Sequence, residues 1–176
     1  MCQGVDSLSQ VIVLVGPKGA GKTTLGRVLE REPGVHFLEV ESIAKRVLAD
    51  MGGVIDERYA REAFAAIVVA VDSMAGSYPT IVLETTGAST ETPAFIDALR
   101  RLRSVRLVRI VAPAETCATR IAQRDSSRQV DVPPDLIRAM HERTEALRLP
   151  WDLELTNDPP LTDEQVRAAF RHILSP

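Results

Sequence analysis

The stretch Val11-Ile12-Val13-Leu14-Val15-Gly16-Pro17-Lys18-Gly19-Ala20-Gly21-Lys22-Thr23-Thr24 decides how this chain folds. Its first five residues are an unbroken Val/Ile/Leu run, the pattern of a strand buried on both faces of a parallel sheet. The next nine fit G-x-x-x-x-G-K-[ST], and residues 25–30 continue as a helix. Glycines in such a loop let backbone N–H groups turn inward around phosphate oxygens, and the helix N-terminus adds partial positive charge. In that chemistry Lys22 reaches the β- and γ-phosphates and Thr23 holds Mg²⁺. Gly16, Gly19, Ala20, Gly21 and Thr24 complete the cradle. A glycine-rich strand-to-helix turn without a ligand is the competing reading. The fit of both the motif and its strand–loop–helix setting puts it aside, and a nucleoside triphosphate is the expected ligand.

Outward from this loop, apolar β-rich runs alternate with helical patterns. Strands are expected at residues 11–15, 35–40, 80–83, 105–111 and 153–156. Helices are expected at 23–31, 42–51, 57–74, 93–102, 114–124, 134–147 and 162–174. Thr162 and Gln165 form a capping pair at the start of the last helix. The alternation predicts an α/β fold of three layers, a five-stranded parallel sheet with helices on both faces. The run at 63–71 (AFAAIVVAV) is apolar all round and is expected as a buried core helix, with a subunit contact as the lesser reading.

The length, 176 residues, predicts a single domain over 1–176. The net charge of −3 offers no global attraction to nucleic acid or membrane. The longest apolar run, nine residues, is too short to span a bilayer. Cys2 and Cys117 lack C-x-x-C spacing, and residues 1–10 lack a basic-then-apolar leader; a reduced, cytoplasmic chain is expected. His36, His141 and His172 are isolated. Thr156-Asn157-Asp158 lacks the lysine of an N/T-K-x-D guanine-specifying motif, which argues against a regulatory GTPase.

Acidic and basic groups gather where an open parallel sheet places its ligands, beyond the carboxyl ends of the strands. Glu39 and Glu41 end the second strand and, if extended, share one side. Glu84 ends the third. Glu39 and Glu84 are expected on the Mg²⁺ side with Thr23. Glu41, further out, is expected to meet an acceptor hydroxyl and take its proton. Residues 100–143 carry ten arginines, no lysine and five acids. Arg120 and Arg124 lie four apart on one helix, and Arg128 follows in the polar, Pro-ended segment 125–134. This predicts a lid near residues 120–134, with arginines neutralising phosphate charge.

With these residues in place, the chain resembles the small P-loop kinases of metabolites and nucleotides, chiefly the shikimate kinase group, with gluconate and nucleotide kinases nearby. The resemblance covers most of the chain and is strongest at GPKGAGKTT. Glu39-Val40-Glu41 stands where that group carries an Asp-x-Asp pair for the Mg²⁺ water and the acceptor hydroxyl. The resemblance implies that Arg120 stacks on adenine, that Arg128 contacts the phosphates and that Arg143 holds an acceptor carboxylate. It also implies that the strand exit at Asn157 borders adenine. Two departures stand out. Thr86-Gly87-Ala88 replaces three glycines after the third strand, and Tyr59-Ala60-Arg61-Glu62-Ala63-Phe64 replaces a Phe-Arg-x-x-Glu. The kinase class survives these departures; the acceptor is left open.

The reading is an ATP- and Mg²⁺-dependent phosphotransferase, monomeric or homodimeric. Its small-molecule acceptor would sit between Glu41, Arg61, Gly87 and Arg143. A regulatory or toxin-like ATPase module is the alternative. A polynucleotide 5′-hydroxyl kinase is a third, against which the acidic balance and 4% aromatic content weigh.

Overall fold

A computed structural model describes residues 9–74, 76–123 and 132–174. The elements run β1 (Gln10–Val15), α1 (Lys22–Leu29), β2 (Val35–Phe37), α2 (Val40–Asp50), α3 (Glu57–Ser73), β3 (Thr80–Thr85), α4 (Thr92–Leu102), β4 (Ser104–Val111), α5 (Ala114–Ala122), α6 (Pro134–Ala146), β5 (Leu153–Thr156) and α7 (Asp163–Leu174). The five strands form one parallel sheet in the order β2-β3-β1-β4-β5. This is the expected architecture, a five-stranded α/β P-loop fold.

Because β1 is central, its side chains go alternately to two apolar layers. Ile12 and Leu14 join Leu25, Val28 and Leu29 of α1 and Val166 and Phe170 of α7 on one face. Val11, Val13 and Val15 join Ile67 and Val71 of α3 and Phe95, Ile96 and Leu99 of α4 on the other. The helix that follows β1 and the helix that follows β3 therefore cover opposite faces. Their strands are neighbours, so the chain parts between the two carboxyl ends and opens a crevice there. Thr162 and Gln165 make the reciprocal cap of α7, with the Thr162 N–H donating to Gln165 Oε1 at 2.9 Å and the Gln165 N–H to Thr162 Oγ1 at 3.3 Å.

Three expectations are corrected. The second strand stops at Phe37, not Val40, because Glu39 is already the N-cap of α2. Glu39 and Glu41 thus stand at a helix start, where residues two apart do not face each other. The third strand continues through Glu84 and Thr85, with Glu84 opposite Leu14 of β1, so Glu84 lies on the strand rather than after it. The apolar run in α3 is not buried all round. Ala63, Ile67 and Val71 form one buried stripe at helical spacing, while Val69 is 68% exposed.

Among the described residues, no helix is long and apolar enough to cross a membrane.

Candidate active site

The glycine-rich loop leaves β1 and folds back on itself before α1. Gly21 precedes α1 at φ +93°, a left-handed conformation that glycine adopts without strain. A side chain there would also strike Asn157, whose amide nitrogen would lie 2.3 Å from its Cβ. Lys22 is buried, and its ammonium is satisfied by the carbonyls of Gly16 at 2.8 Å and Pro17 at 2.9 Å. A buried cation needs such partners. The same charge that would meet phosphate here braces the loop against itself.

At the crevice between β1 and β3, the Thr23 hydroxyl donates to Glu84 Oε1 at 2.9 Å. The two come together from the first turn of α1 and the end of β3. They are hard oxygen donors, the kind that Mg²⁺ and its waters take. Glu39 is held elsewhere: it forms an exposed ion pair with Arg27, one turn beyond Thr23 on α1.

On the other side of the loop lies a cavity of 340 Å³ lined by Gly21, Thr24, Leu25, Arg120, Asn157 and Leu161, among others. Arg120 donates to the Asn157 carbonyl at 2.9 Å and reaches the Gly19 carbonyl at 3.5 Å. Asn157 is buried; its amide donates to the Ala20 carbonyl at 2.7 Å and accepts from the Leu161 N–H at 2.9 Å. The exit of β5 thereby clamps the loop, and the cavity has one mixed polar–apolar wall suited to a nucleotide base. Arg124 and Arg128 lie outside the described residues, as does most of the expected lid.

The far end of the crevice is built by the segment after β3. Gly87 takes φ +73°, and a Cβ there would lie 2.7 Å from Leu147 Cδ2 and 2.8 Å from Val15 Cγ1. Thr144 of α6, also buried, reaches the Thr86 carbonyl at 2.8 Å. Its neighbour Arg143 faces Glu57 at 3.7 Å. Glu57 in turn accepts from Ser89 Oγ at 2.5 Å and from the Thr90 N–H at 3.4 Å. The Ser89 hydrogen bond is the main cause that holds the Glu57 carboxyl below its ordinary range, against the opposing effect of burial. Arg61 pairs with Glu91 at 2.6 Å. Burial, then the charge of Glu41, pushes the Tyr59 phenol up, which puts Glu41 and Tyr59 in the same neighbourhood.

The structure thus brings together Lys22 with the loop, Thr23 with Glu84, and Arg120 with Asn157. It places Arg61 and Arg143 each against a carboxylate. Sequence reasoning missed Glu57, Glu91 and Thr144. Glu57 and Glu91 are the first residue of α3 and the N-cap of α4, where an acid reads as helix capping. Thr144 sits mid-pattern in an ordinary helix.

Fold, loop and Lys-Thr pair define a P-loop nucleotide-binding domain of the kinase-like kind. A family described as an AAA domain matches residues 11–147. Shikimate kinase 1 of Enterobacter sp. (strain 638) is 31% identical over 161 residues, covering 88% of this chain and 87% of that protein. A sugar kinase from Janibacter sp. HTCC2649 superposes with a TM-score of 0.70 at 19% identity over 94% of each chain. A gluconokinase from Sinorhizobium meliloti 1021 does so with a TM-score of 0.64 at 19% identity, over 93% of this chain and 91% of that one. The chain belongs to this AAA-domain P-loop family, as a shikimate kinase-like P-loop kinase.

Proposed function

We propose that the chain transfers the γ-phosphate of ATP to a hydroxyl of a small-molecule acceptor. The observation that carries this reading is the Thr23–Glu84 pair at the mouth of the β1–β3 crevice. It lies beside the phosphate loop, with a base-sized cavity on one side and the Gly87 segment on the other. The 31% identity to a shikimate kinase supports it.

In this reading the backbone of residues 16–21 receives the phosphates, and Arg120 and Asn157 border the base. Lys22 exchanges its two carbonyl partners for phosphate oxygens. Thr23 and Glu84 would hold Mg²⁺, which when bound neutralises charge on the β- and γ-phosphates. The residues fit such an ion because both offer hard oxygen donors that already lie 2.9 Å apart. Glu39, tied to Arg27, is left out of the metal set. The acceptor oxygen attacks the γ-phosphorus, the bond to the β–γ bridging oxygen breaks, and ADP leaves. The hydroxyl proton passes to Glu41. Gly87, packed against Val15 and Leu147, fixes the course of the segment that borders the acceptor, while Arg61 and Arg143 flank it. Arg128 is assigned to the phosphates by resemblance alone.

The test compares ATP turnover by the pure protein with and without pooled small metabolites, following labelled phosphate into product. Strong stimulation with transfer of label supports the reading. Unchanged slow hydrolysis to free phosphate overturns it.

A further inference from the structure

We propose that the acceptor carries no acid group and is a neutral or amine-bearing polyol rather than a hydroxy acid, an inference that rests on the phosphotransferase reading. Both guanidiniums at the acceptor end are already matched by carboxylates of the chain itself: Arg143 by Glu57 at 3.7 Å, and Arg61 by Glu91 at 2.6 Å.

Glu57 does not leave with its pair. It is anchored to the segment after Gly87 by Ser89 and Thr90, and Arg143 is held beside that segment because Thr144 grips the Thr86 carbonyl. Glu91 is fixed in turn, its backbone N–H donating to Ser89 Oγ at 3.0 Å. An incoming carboxylate that sought Arg143 would lie next to Glu57, which is anchored 3.7 Å from that guanidinium, and like charges brought this close are costly.

The surrounding charge gives an acid no compensation. Glu41, Glu57 and Glu91 stand against Arg61, Arg143 and Lys45, which follows Glu41 by one turn of α2. Arg58 and Glu62, both exposed on α3, cancel each other. Among these described residues the charges balance before Glu84 and the nucleotide add negative charge. Hydroxyl and amine groups, in contrast, donate hydrogen bonds to carboxylates held in this way.

The experiment uses the full chain with Mg²⁺ and γ-labelled ATP. The probe is a bacterial small-molecule extract split by anion exchange into a retained acidic fraction and an unretained neutral and cationic one. Label is expected in the unretained fraction. Glu57→Gln and Glu91→Gln each release one arginine, and each is expected to raise labelling of acids relative to non-acids by about tenfold. Having two variants guards against one failing to fold. Label confined to the acidic fraction in the wild type, or a ratio unmoved in both folded variants, overturns the inference and leaves the kinase reading standing. No label in either fraction overturns the phosphotransferase reading beneath it.

Discussion

Lys22 holds two carbonyls of its own loop as well as standing where phosphate would bind. A lysine that touched phosphate alone could be removed with the fold nearly intact. Lys22 is not such a lysine. Lys22→Ala leaves the Gly16 and Pro17 carbonyls without this partner and is expected to cost about 1–3 kcal/mol of stability. It should also lower phosphate transfer by at least about 100-fold. Thermal melting and turnover, measured on the same preparation, check both. Glu41→Gln should depress the chemical step without moving the Mg²⁺ midpoint, and Glu84→Gln should move that midpoint upward. A Mg²⁺ titration of both variants decides, and the opposite pattern would exchange the two roles. Glu57 gives a pH signature. Its folded carboxyl lies below the ordinary value of 4.5, so it stabilises the fold above that value and loses the effect as pH falls through the lowered one. Glu57→Gln is thus expected to be less stable than wild type near neutrality. The deficit should be under about 1 kcal/mol because the pair is partly exposed, and it should vanish in acid. Denaturant midpoints across pH measure it.

Elements were legible where one local rule governed them. β1, with its loop and α1, follows from a continuous apolar run and a glycine spacing that leaves one geometry. The end of β2 was not legible. Leu38-Glu39-Val40 has the alternation of a strand, yet the helix starting at Val40 takes Glu39 as its cap. The segment after β3 shows the same limit at a tighter contact. Gly87 is wedged between Val15 of β1 and Leu147 beyond α6, a fact that only the assembled packing contains. Gly87→Ala adds one methyl against two side chains and forces an unfavourable positive φ. It is expected to cost about 1–3 kcal/mol and to weaken acceptor use more than ATP binding. Nucleotide affinity and acceptor KM, measured together, separate a local effect from a general loss of fold.

At the scale of the molecule, the period of apolar runs was enough to give the five parallel strands and seven helices of the described residues, because burial of each face sets that period. The acceptor end was poorly legible for a physical reason. Its pairs join residues 30 or more positions apart, such as Arg61 with Glu91, Glu57 with Ser89 and Thr86 with Thr144, and no local pattern encodes them. The clamp of Asn157 on Ala20 spans 137 positions, and its consequence concerns the order of synthesis. The loop leaves the ribosome more than a hundred residues before β5, so its last brace arrives only when β5 has emerged. A nascent chain should therefore hold nucleotide weakly until β5 has been made and released. Chains arrested at successive lengths and probed with a photoreactive ATP analogue are expected to label sharply only once residue 157 is clear of the exit tunnel. Equal labelling of chains arrested well short of it would show that the loop closes without its brace.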